Sequence, residues 1–302
     1  SSSIQLNAPV VINATGAWAD RLRNVVNSET RIRPLRGSHI IIPKSLFPIN
    51  DVMTFLHLDD KRGVFVYPWE GTTVIGTTDL DHAEDIDEEA SISDQEVDYL
   101  LKAFNSQFPS NAIKRNDVLS TWAGVRPVIG AEKSKDPSKE RRDHVVWSDN
   151  GLITVSGGKL TTFRLIALDA LAAARDYLPT AKEINDDRMF STPNITAELL
   201  LSENTSWAQR LLGRYGEKAF ELLNESSPDE QHNLDTTEFS LAECRWAIKY
   251  EAVEHLDDLL LRRTRLGMCL PNGGTNLFPV LKELFLSNQK WGEERWQKEV
   301  IR

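Results

Sequence analysis

The chain has 302 residues, of which 40% are hydrophobic and 26% are charged, and its formal net charge is −10. This composition is typical of a soluble globular protein, and the acidic balance argues against nucleic acid as a partner, because phosphate backbones need a basic surface. No apolar stretch approaches the roughly 20 residues that span a bilayer, and the first residues lack a signal-peptide pattern, so we expect a cytoplasmic protein.

Strand signals dominate the first eighty residues. Residues 10–13 form a short apolar β-branched run closed by a turn at Gly16, which predicts a buried strand, and a helix is expected over 17–26. Between residues 31 and 78 several further strands are predicted, separated by turns rich in Pro, Gly and Asp. Their sequences are RPLRGSHIIIP, VMTFLHL, GVFVYPW and TTVIGTT.

A capping box then marks a helix, because Ser93 is followed three residues later by Glu96 and by an apolar pattern of helical period. More strands are predicted at 117–125, 144–147 and 152–155. A helix is expected from about 159 to 177.

The later part of the chain is predicted to be helical. Helices are expected at 196–203, 206–224, 240–250, 252–265, 276–287 and 291–301, and Ser240 with Glu243 forms a second capping box. We place a domain boundary near 180–195, with one domain over 1–180 and a helical domain over 190–302.

The order of these elements predicts an α+β fold: a mixed, largely antiparallel sheet with flanking helices, followed by an all-helical domain. Four tryptophans are expected to pack the C-terminal helices, namely Trp207, Trp246, Trp291 and Trp296. Cys244 and Cys269 could pair, but we expect both to be reduced. The histidines outside the motifs below show no metal-ligand spacing with one another, so no metal site is predicted.

The most informative motif is SGGKLTTFR, residues 156–164, where a predicted buried strand ends in Gly157 and Gly158 and a helix begins. Glycine lets a ligand approach the backbone closely, and the free N–H groups of a helix start suit a negative group. A Walker phosphate loop is excluded, because Leu160 stands where that motif needs Ser or Thr. On local features alone, a structural turn and a ligand site are about equally good interpretations.

Other segments accompany this motif: VINATGAW (11–18), GSHIIIP (37–43), KRGVFVYPW (61–69), GTTD (76–79), WAGVRP (122–127), RRDH (141–144) and LRRTRLGM (261–268). No single segment is diagnostic, but the ordered set resembles the FAD-dependent glycerol-3-phosphate dehydrogenases, within the D-amino-acid-oxidase-like class of flavoproteins. The resemblance spans nearly the whole chain from about Pro9. It implies the sheet architecture of that class and FAD as the cofactor.

Enzymes of this class normally begin with a strand–GxGxxG–helix unit that binds the ADP half of FAD. GxGxxG occurs nowhere in these 302 residues. The resemblance implies that residues 11–16 are a late strand of the nucleotide-binding sheet, and it assigns to the cofactor Gly16, Gly157, Gly158, Lys159, Leu160 and Thr161. We therefore expect FAD binding by the isolated chain to be weak or lost, and the chain alone to be inactive.

The resemblance also assigns His39 and Arg126 to catalysis. Oxidation of the C2 alcohol of glycerol 3-phosphate needs a base, and imidazole suits this task because its pKa lies near neutrality. His39 is the expected base, with a hydrogen-bonded strand histidine as the alternative interpretation. Arg126, which Pro127 biases to extended backbone, is expected to hold the developing alkoxide or the product carbonyl.

Two further residues, Arg142 and Lys159, are assigned to the substrate by the same resemblance. Arg142 is expected to bind the phosphate, since Arg grips oxyanions bidentately, whereas the adjacent Arg141 fits a solvated charge run equally well. Lys159 is expected at the phosphate or at the flavin, two roles that the sequence does not separate. The strand end at residues 77–79 is expected at the pocket rim, where Thr78 is assigned to the substrate, with a simple turn as the alternative.

The activity implied by the resemblance is oxidation of sn-glycerol 3-phosphate to dihydroxyacetone phosphate, with electrons passing from FAD to a quinone. Peripheral attachment of the parent enzyme to the inner face of the membrane and a homodimer are implied in the same way. Two alternatives stay open: a glycerol-3-phosphate oxidase that uses oxygen, and a catalytically inert homologue that binds a phosphorylated metabolite.

Overall fold

The computed structural model describes residues 4–26, 28–130, 143–179, 205–288 and 291–302. Within these ranges the strands are β1 (Val11–Asn13), β2 (Ile32–Pro43), β3 (Met53–Leu56), β4 (Gly63–Trp69), β5 (Thr72–Gly76), β6 (Leu80–Asp81), β7 (Ser120–Ile129), β8 (Val145–Asp149) and β9 (Leu152–Ser156). The α-helices are α1 (Ala19–Val25), α2 (Asp94–Gln107), α3 (Phe163–Ala173), α4 (Thr205–Tyr215), α5 (Lys218–Glu225), α6 (Leu241–Tyr250), α7 (Leu266–Cys269), α8 (Phe278–Ser287) and α9 (Glu293–Ile301).

The smaller of two sheets has the strand order β1-β9-β8, with β1 parallel and β8 antiparallel to β9. All five residues of β9 are buried, which suits the β-branched sequence of this central strand. Helices α1 and α3 contact β9. Because β1 and β9 are parallel, the residues that follow them meet at one edge of the sheet.

The larger sheet has six strands in the described part of the chain and is built around the twelve-residue β2. Strands β5 and β6 pair with one edge of β2, and β7 pairs with the other edge over residues 32–41. Successive residues of a strand point to opposite faces. Ile40 and Ile42 therefore pack on one face against α2, while His39 lies on the face opposite α2.

Helix α2 covers the face of the larger sheet that carries Ile40 and Ile42. Its predicted capping box is confirmed, with Ser93 and Glu96 each bonding the backbone of the other. The fully buried apolar side chains between sheet and helix include Ile40, Ile42, Val64, Val66, Ile75, Leu100 and Phe104. Burial of one such side chain contributes roughly 1.5–3 kcal/mol, so this layer fixes the position of β2.

The described residues from 205 onward are mainly helical, and the predicted α+β fold is confirmed. The tryptophan prediction also holds: Trp207 and Trp246 share one buried cluster, and Trp291 and Trp296 share another. None of the described helices is long and apolar enough to cross a bilayer. The predicted domain boundary and the helix expected at 196–203 lie outside the described residues.

Two predicted helices differ in detail from the structure. The helix expected over 206–224 is divided into α4 and α5 at Gly216, and the helix expected over 252–265 is found only over 256–263. That segment begins with bends and forms a π-helical turn, Asp258–Arg263, before α7. Both cysteines are free and buried, so their apolar surroundings explain them without a pairing.

Polar contacts join the larger sheet to the helical region. Glu70, in the turn between β4 and β5, accepts hydrogen bonds from Arg210 at 2.8 Å and Arg214 at 3.0 Å, both on α4. Ser120, the first residue of β7, donates to the carbonyl of Met268 at 2.5 Å. Strands β5 and β7 thus run from the helical region into the middle of the sheet.

Candidate active site

The face of the larger sheet opposite α2 combines functional side chains with glycines. His39 of β2 pairs with Gly76 of β5 on one side and with Trp122 of β7 on the other. Two residues before His39, Gly37 pairs with Gly124. Directly paired residues, and residues two apart on one strand, project to the same face. All five residues therefore share one surface.

The ring of His39 lies between an aromatic residue and a bare backbone. Trp122 stacks on it with ring centroids 3.9 Å apart and an interplanar angle of 3°. At Gly76, a Cβ would lie only 2.6 Å from Cγ of His39, so a glycine is needed there. Burial, together with the positive charge of Arg126, lowers the pKa of His39 to about 4. The imidazole is consequently neutral at pH 7 and can accept a proton.

Arg126, on β7, extends its guanidinium over Gly37, where a Cβ would come within 2.6 Å of Cζ. It donates hydrogen bonds to Oδ1 of Asp79 and Oγ1 of Thr77, both at 3.1 Å. The Asp79 side chain is 9% exposed and that of Arg126 is 37% exposed. The buried carboxylate therefore fixes the direction of the guanidinium, whose accessible part can bind an anion.

Thr78 does not join this group. Its hydroxyl donates to Oε1 of Glu96 at 2.7 Å, as does that of Ser38, and Arg36 pairs with Glu96 at 3.0 Å. Thr78 and Glu96 are 3% and 2% exposed. Burial raises the pKa of Glu96, but the hydrogen bonds it accepts outweigh burial, so the pKa is lowered. Thr78 therefore belongs to a hydrogen-bond network on the α2 side of the sheet, and the hydroxyl that contacts Arg126 is that of Thr77.

A second group of predicted residues lies at the edge of the smaller sheet. Asn13 of β1 pairs with Thr154 of β9, so Gly16 and Gly157, each three residues further on, follow parallel strands to the same edge. Gly157 and Gly158 have φ values of +79° and +81°, which side chains other than glycine rarely adopt. The carboxyl ends of parallel strands are where open α/β sheets bind their ligands.

The residues after these glycines are exposed: Lys159, Leu160 and Thr161. Leu160 is 88% exposed. Strand β7 connects this edge to the first group, because the Cβ position of Gly157 is 3.1 Å from Cδ1 of Ile129. Arg142, the residue predicted to bind the phosphate, lies outside the described residues.

One cluster of potential metal ligands was not foreseen from the sequence. His255, Asp257 and Glu299 place ligand atoms within 4.8 Å of one another. Arg295 pairs with Glu299 at 2.7 Å, and Arg262 pairs with Asp257 at 2.9 Å. Because the two arginines already neutralise the two carboxylates, we interpret this cluster as an ion-pair network of the helical region and not as a metal site.

Sequence reasoning gave Trp122 no role in the site and placed Asp79 at the pocket rim without a role toward Arg126. A signal for Trp122 existed, because GSH (37–39) and WAG (122–124) align antiparallel once Gly37 is paired with Gly124. For Asp79 the sequence indicated the pocket rim or a simple turn, and its hydrogen bond with Arg126 depends on the direction of the Arg126 side chain. Both roles follow from strand pairing between distant segments.

Comparisons with known proteins relate most of the chain to flavoproteins. The family described as "FAD dependent oxidoreductase" matches residues 2–164, and the "C-terminal domain of alpha-glycerophosphate oxidase" matches residues 181–296. The aerobic glycerol-3-phosphate dehydrogenase of Bacillus subtilis is 33% identical over 85% of this chain and 50% of that protein. The mitochondrial glycerol-3-phosphate dehydrogenase of Mus musculus is 30% identical over 98% of this chain and 43% of that protein.

Among solved structures, the glycerol-3-phosphate dehydrogenase of Bacillus halodurans complexed with FAD is similar to this chain, with a TM-score of 0.66 and 27% identity. The likeness covers 96% of this chain and 60% of that one. The chain spans about half the length of the curated relatives it matches.

Proposed function

The chain belongs to the family of FAD-dependent oxidoreductases, and from this premise we propose that it forms the substrate site of a flavoenzyme. The proposed reaction oxidises sn-glycerol 3-phosphate to dihydroxyacetone phosphate. The observation that carries the proposal is a neutral imidazole, His39, on the same sheet face as the anchored guanidinium of Arg126. The names of the relatives that align over most of the chain support the choice of substrate.

We propose that FAD is held at the edge formed by Gly16, Gly157 and Gly158. The fit is supported by backbone that only glycine adopts readily, by the exposed turn at Lys159, and by Ser156, whose Oγ is buried without a hydrogen-bond partner among the described residues. When bound, FAD supplies the acceptor for the hydride that leaves C2 of the substrate. Residues 157–161 would bind and orient it.

His39 is proposed to take the proton of the C2 hydroxyl as the C2–H bond breaks and the carbonyl forms. Its low pKa keeps the ring unprotonated at pH 7, which a base requires. The dianionic phosphate of a bound substrate would raise this pKa, because a nearby negative charge favours imidazolium. The proton would thus be accepted by a ring whose basicity increases once substrate is present.

Arg126 is proposed to bind the oxygen on C2, where negative charge develops as the proton leaves. Its anchoring by Asp79 and Thr77 means that little reorientation is needed during the reaction. Arg142 is proposed to bind the phosphate and Lys159 to contact either the phosphate or the flavin, as the family resemblance suggests. Two or three cations suffice for one phosphate even in a chain with a net charge of −10.

The decisive experiment adds glycerol 3-phosphate without oxygen to the natural, flavin-loaded protein and follows the visible flavin absorbance. We expect rapid bleaching, which glycerol should not cause. His39→Gln should slow bleaching by about 10²–10⁴-fold with little change in substrate affinity, and Arg142→Ala should chiefly weaken affinity. A bound flavin that stays oxidised in the presence of the substrate would refute the proposed reaction.

The electron acceptor is proposed to be a quinone, with the enzyme dimeric and attached peripherally to a membrane. An oxidase that uses oxygen is the second candidate, favoured by the match of residues 181–296 to a domain of alpha-glycerophosphate oxidase. An oxygen electrode distinguishes the two: stoichiometric peroxide formation supports the oxidase, and reduction of a soluble quinone without oxygen uptake supports the dehydrogenase. Sedimentation and vesicle flotation test the dimer and the membrane attachment.

A catalytically inert, metabolite-binding role is tested on the 302-residue chain itself. We propose that this chain alone does not turn over substrate. Calorimetry with glycerol 3-phosphate, with and without added FAD, separates the outcomes. Tight binding of the phosphate ester by this chain, without uptake of flavin, would favour the inert role.

A further inference from the structure

The glycines on the active-site face differ in what lies above them. A Cβ at Gly37 would overlap the guanidinium of Arg126, and a Cβ at Gly76 would overlap the ring of His39. A Cβ at Gly124 would meet no heavy atom within 4 Å. Gly37 and Gly76 therefore make room for side chains of this chain, whereas no described residue uses the space over Gly124.

The backbone does not explain a glycine at this position. Gly124 lies inside β7 with no positive φ, so any residue could adopt its conformation. Glycine within a strand costs stability relative to alanine, and it often marks a place where a ligand approaches the backbone closely. The need for glycine therefore comes from something that contacts this surface.

The residues around Gly124 indicate which kind of ligand fits. Trp122 and Arg126 flank it on the same strand and face, and His39 is its diagonal neighbour on β2. Diagonal neighbours across paired strands are about 7–8 Å apart. The open space thus lies between the imidazole and the guanidinium, on a scale that suits a three-carbon chain.

We infer that Gly124 determines substrate specificity: the carbon chain of a small phosphorylated alcohol lies directly against the main chain at this residue. This inference rests on the proposed function and names a contact surface for the same site. A methyl group at residue 124 would occupy the space of the ligand without disturbing any side chain of the protein. The size of this residue then limits which alcohols can approach His39.

The test compares Gly124→Ala with Gly63→Ala in the natural, flavin-loaded protein. Gly63 is the matched control, because it lies in the same sheet and its Cβ would make only an ordinary contact, 4.0 Å from Cγ2 of Thr54. For Gly124→Ala we expect an unchanged or higher Tm, unchanged flavin content, and a KM for glycerol 3-phosphate raised roughly tenfold or more. The kcat should change less, and Gly63→Ala should resemble the wild type throughout.

Inhibition by inorganic phosphate adds a measurement that a general structural defect would not reproduce. Phosphate has no carbon chain, so its inhibition constant should stay the same in Gly124→Ala. The inference is overturned if KM is unchanged, if phosphate inhibition weakens as much as substrate binding, or if Tm falls. Loss of flavin would also overturn it, because Gly124 would then contact the cofactor.

The wild-type protein separates this inference from the proposed function. If wild type neither binds nor oxidises glycerol 3-phosphate, the proposed function is wrong, and the inference about Gly124 is wrong for the same reason. If wild type is active and Gly124→Ala keeps its KM, only the role of Gly124 is wrong.

Discussion

Trp122 and His39 face each other as directly paired residues of β7 and β2, and the indole covers one side of the imidazole. The bare backbone at Gly76 lies against the ring as well. Together these contacts keep water from most of the ring, and burial is the main reason that the pKa of His39 falls to about 4. Trp122 therefore contributes to the burial that lowers the pKa of the proposed base.

Replacing Trp122 should change the titration of His39. In Trp122→Ala, water reaches the imidazole, and we expect its pKa to rise by about one unit or more. NMR titration of the His39 ring measures this shift in the isolated chain. In the active protein, the acidic limb of kcat/KM should move to higher pH. Trp122→Phe, which keeps a flat ring at this position, should titrate like the wild type; an unshifted Trp122→Ala would mean that stacking does not set the pKa.

His39 should also make folding stability depend on pH. Its folded pKa lies below the ordinary value of 6.5, so the unfolded chain binds the proton more tightly. The stability that neutral His39 provides is complete above pH 6.5 and is lost as pH falls towards 4. Relative to His39→Gln, wild type should lose about 2–3 kcal/mol of unfolding free energy between pH 7.5 and 4.5.

Urea denaturation at the two pH values measures this difference. His232→Gln is the control, because His232 is exposed and its replacement should leave the pH dependence as in wild type. Parallel stability curves for His39→Gln and wild type would contradict the low pKa.

Asp79 should act on substrate binding through Arg126. Asp79→Asn removes the charge that anchors the guanidinium at 3.1 Å, so Arg126 would lose its fixed direction. We expect kcat/KM to fall by roughly 10- to 100-fold, mainly through KM. Asp87→Asn, which alters an exposed ion pair with Arg21, should leave the kinetics unchanged. Unaltered kinetics in Asp79→Asn would show that Arg126 needs no anchor.

Glu96 should be important for stability and not for substrate recognition. Glu96→Ala leaves the nearly buried Arg36 without this partner and removes the acceptor for Ser38 and Thr78. Breaking such a buried pair typically costs about 3–5 kcal/mol, which urea denaturation would detect. Glu96→Gln should lose less, because the amide oxygen still accepts the hydroxyl bonds. A folded Glu96→Ala protein of wild-type stability but raised KM would place Glu96 in the substrate site.

Much of the fold could be predicted from local patterns. The strand GVFVYPW has the predicted bounds, because alternation and β-branched residues define a half-buried strand locally. Both capping boxes were visible as Ser followed by Glu three residues later. The π-helical turn at Asp258–Arg263 was not predictable, since its hydrogen bonding depends on how the surrounding helices pack.

Only the site residues that lie in recognisable sequence motifs could be predicted. His39 and Arg126 stand out in the sequence, but the stacking of Trp122 on His39 depends on strand register over more than 80 residues. Strand alternation would place Thr78 on the same face as Gly76 and His39, but β5 ends at Gly76, and it is Thr77 that contacts Arg126. His255 and Glu299 are likewise 44 residues apart and meet only through packing.

The ion pairs between Glu70 and the two arginines of α4 limit how this polypeptide can be divided or recombined. Proteolysis between the sheet and the helices would leave Glu70 without these two partners, so we expect both products to be less stable than the intact chain. A chimaera that borrows its helical module from a relative would need to carry matching partners for Glu70. Strand β5 begins two residues after Glu70 and ends at Gly76, against the ring of His39. A displacement of Glu70 by unmatched partners would therefore be transmitted along this one strand to the imidazole.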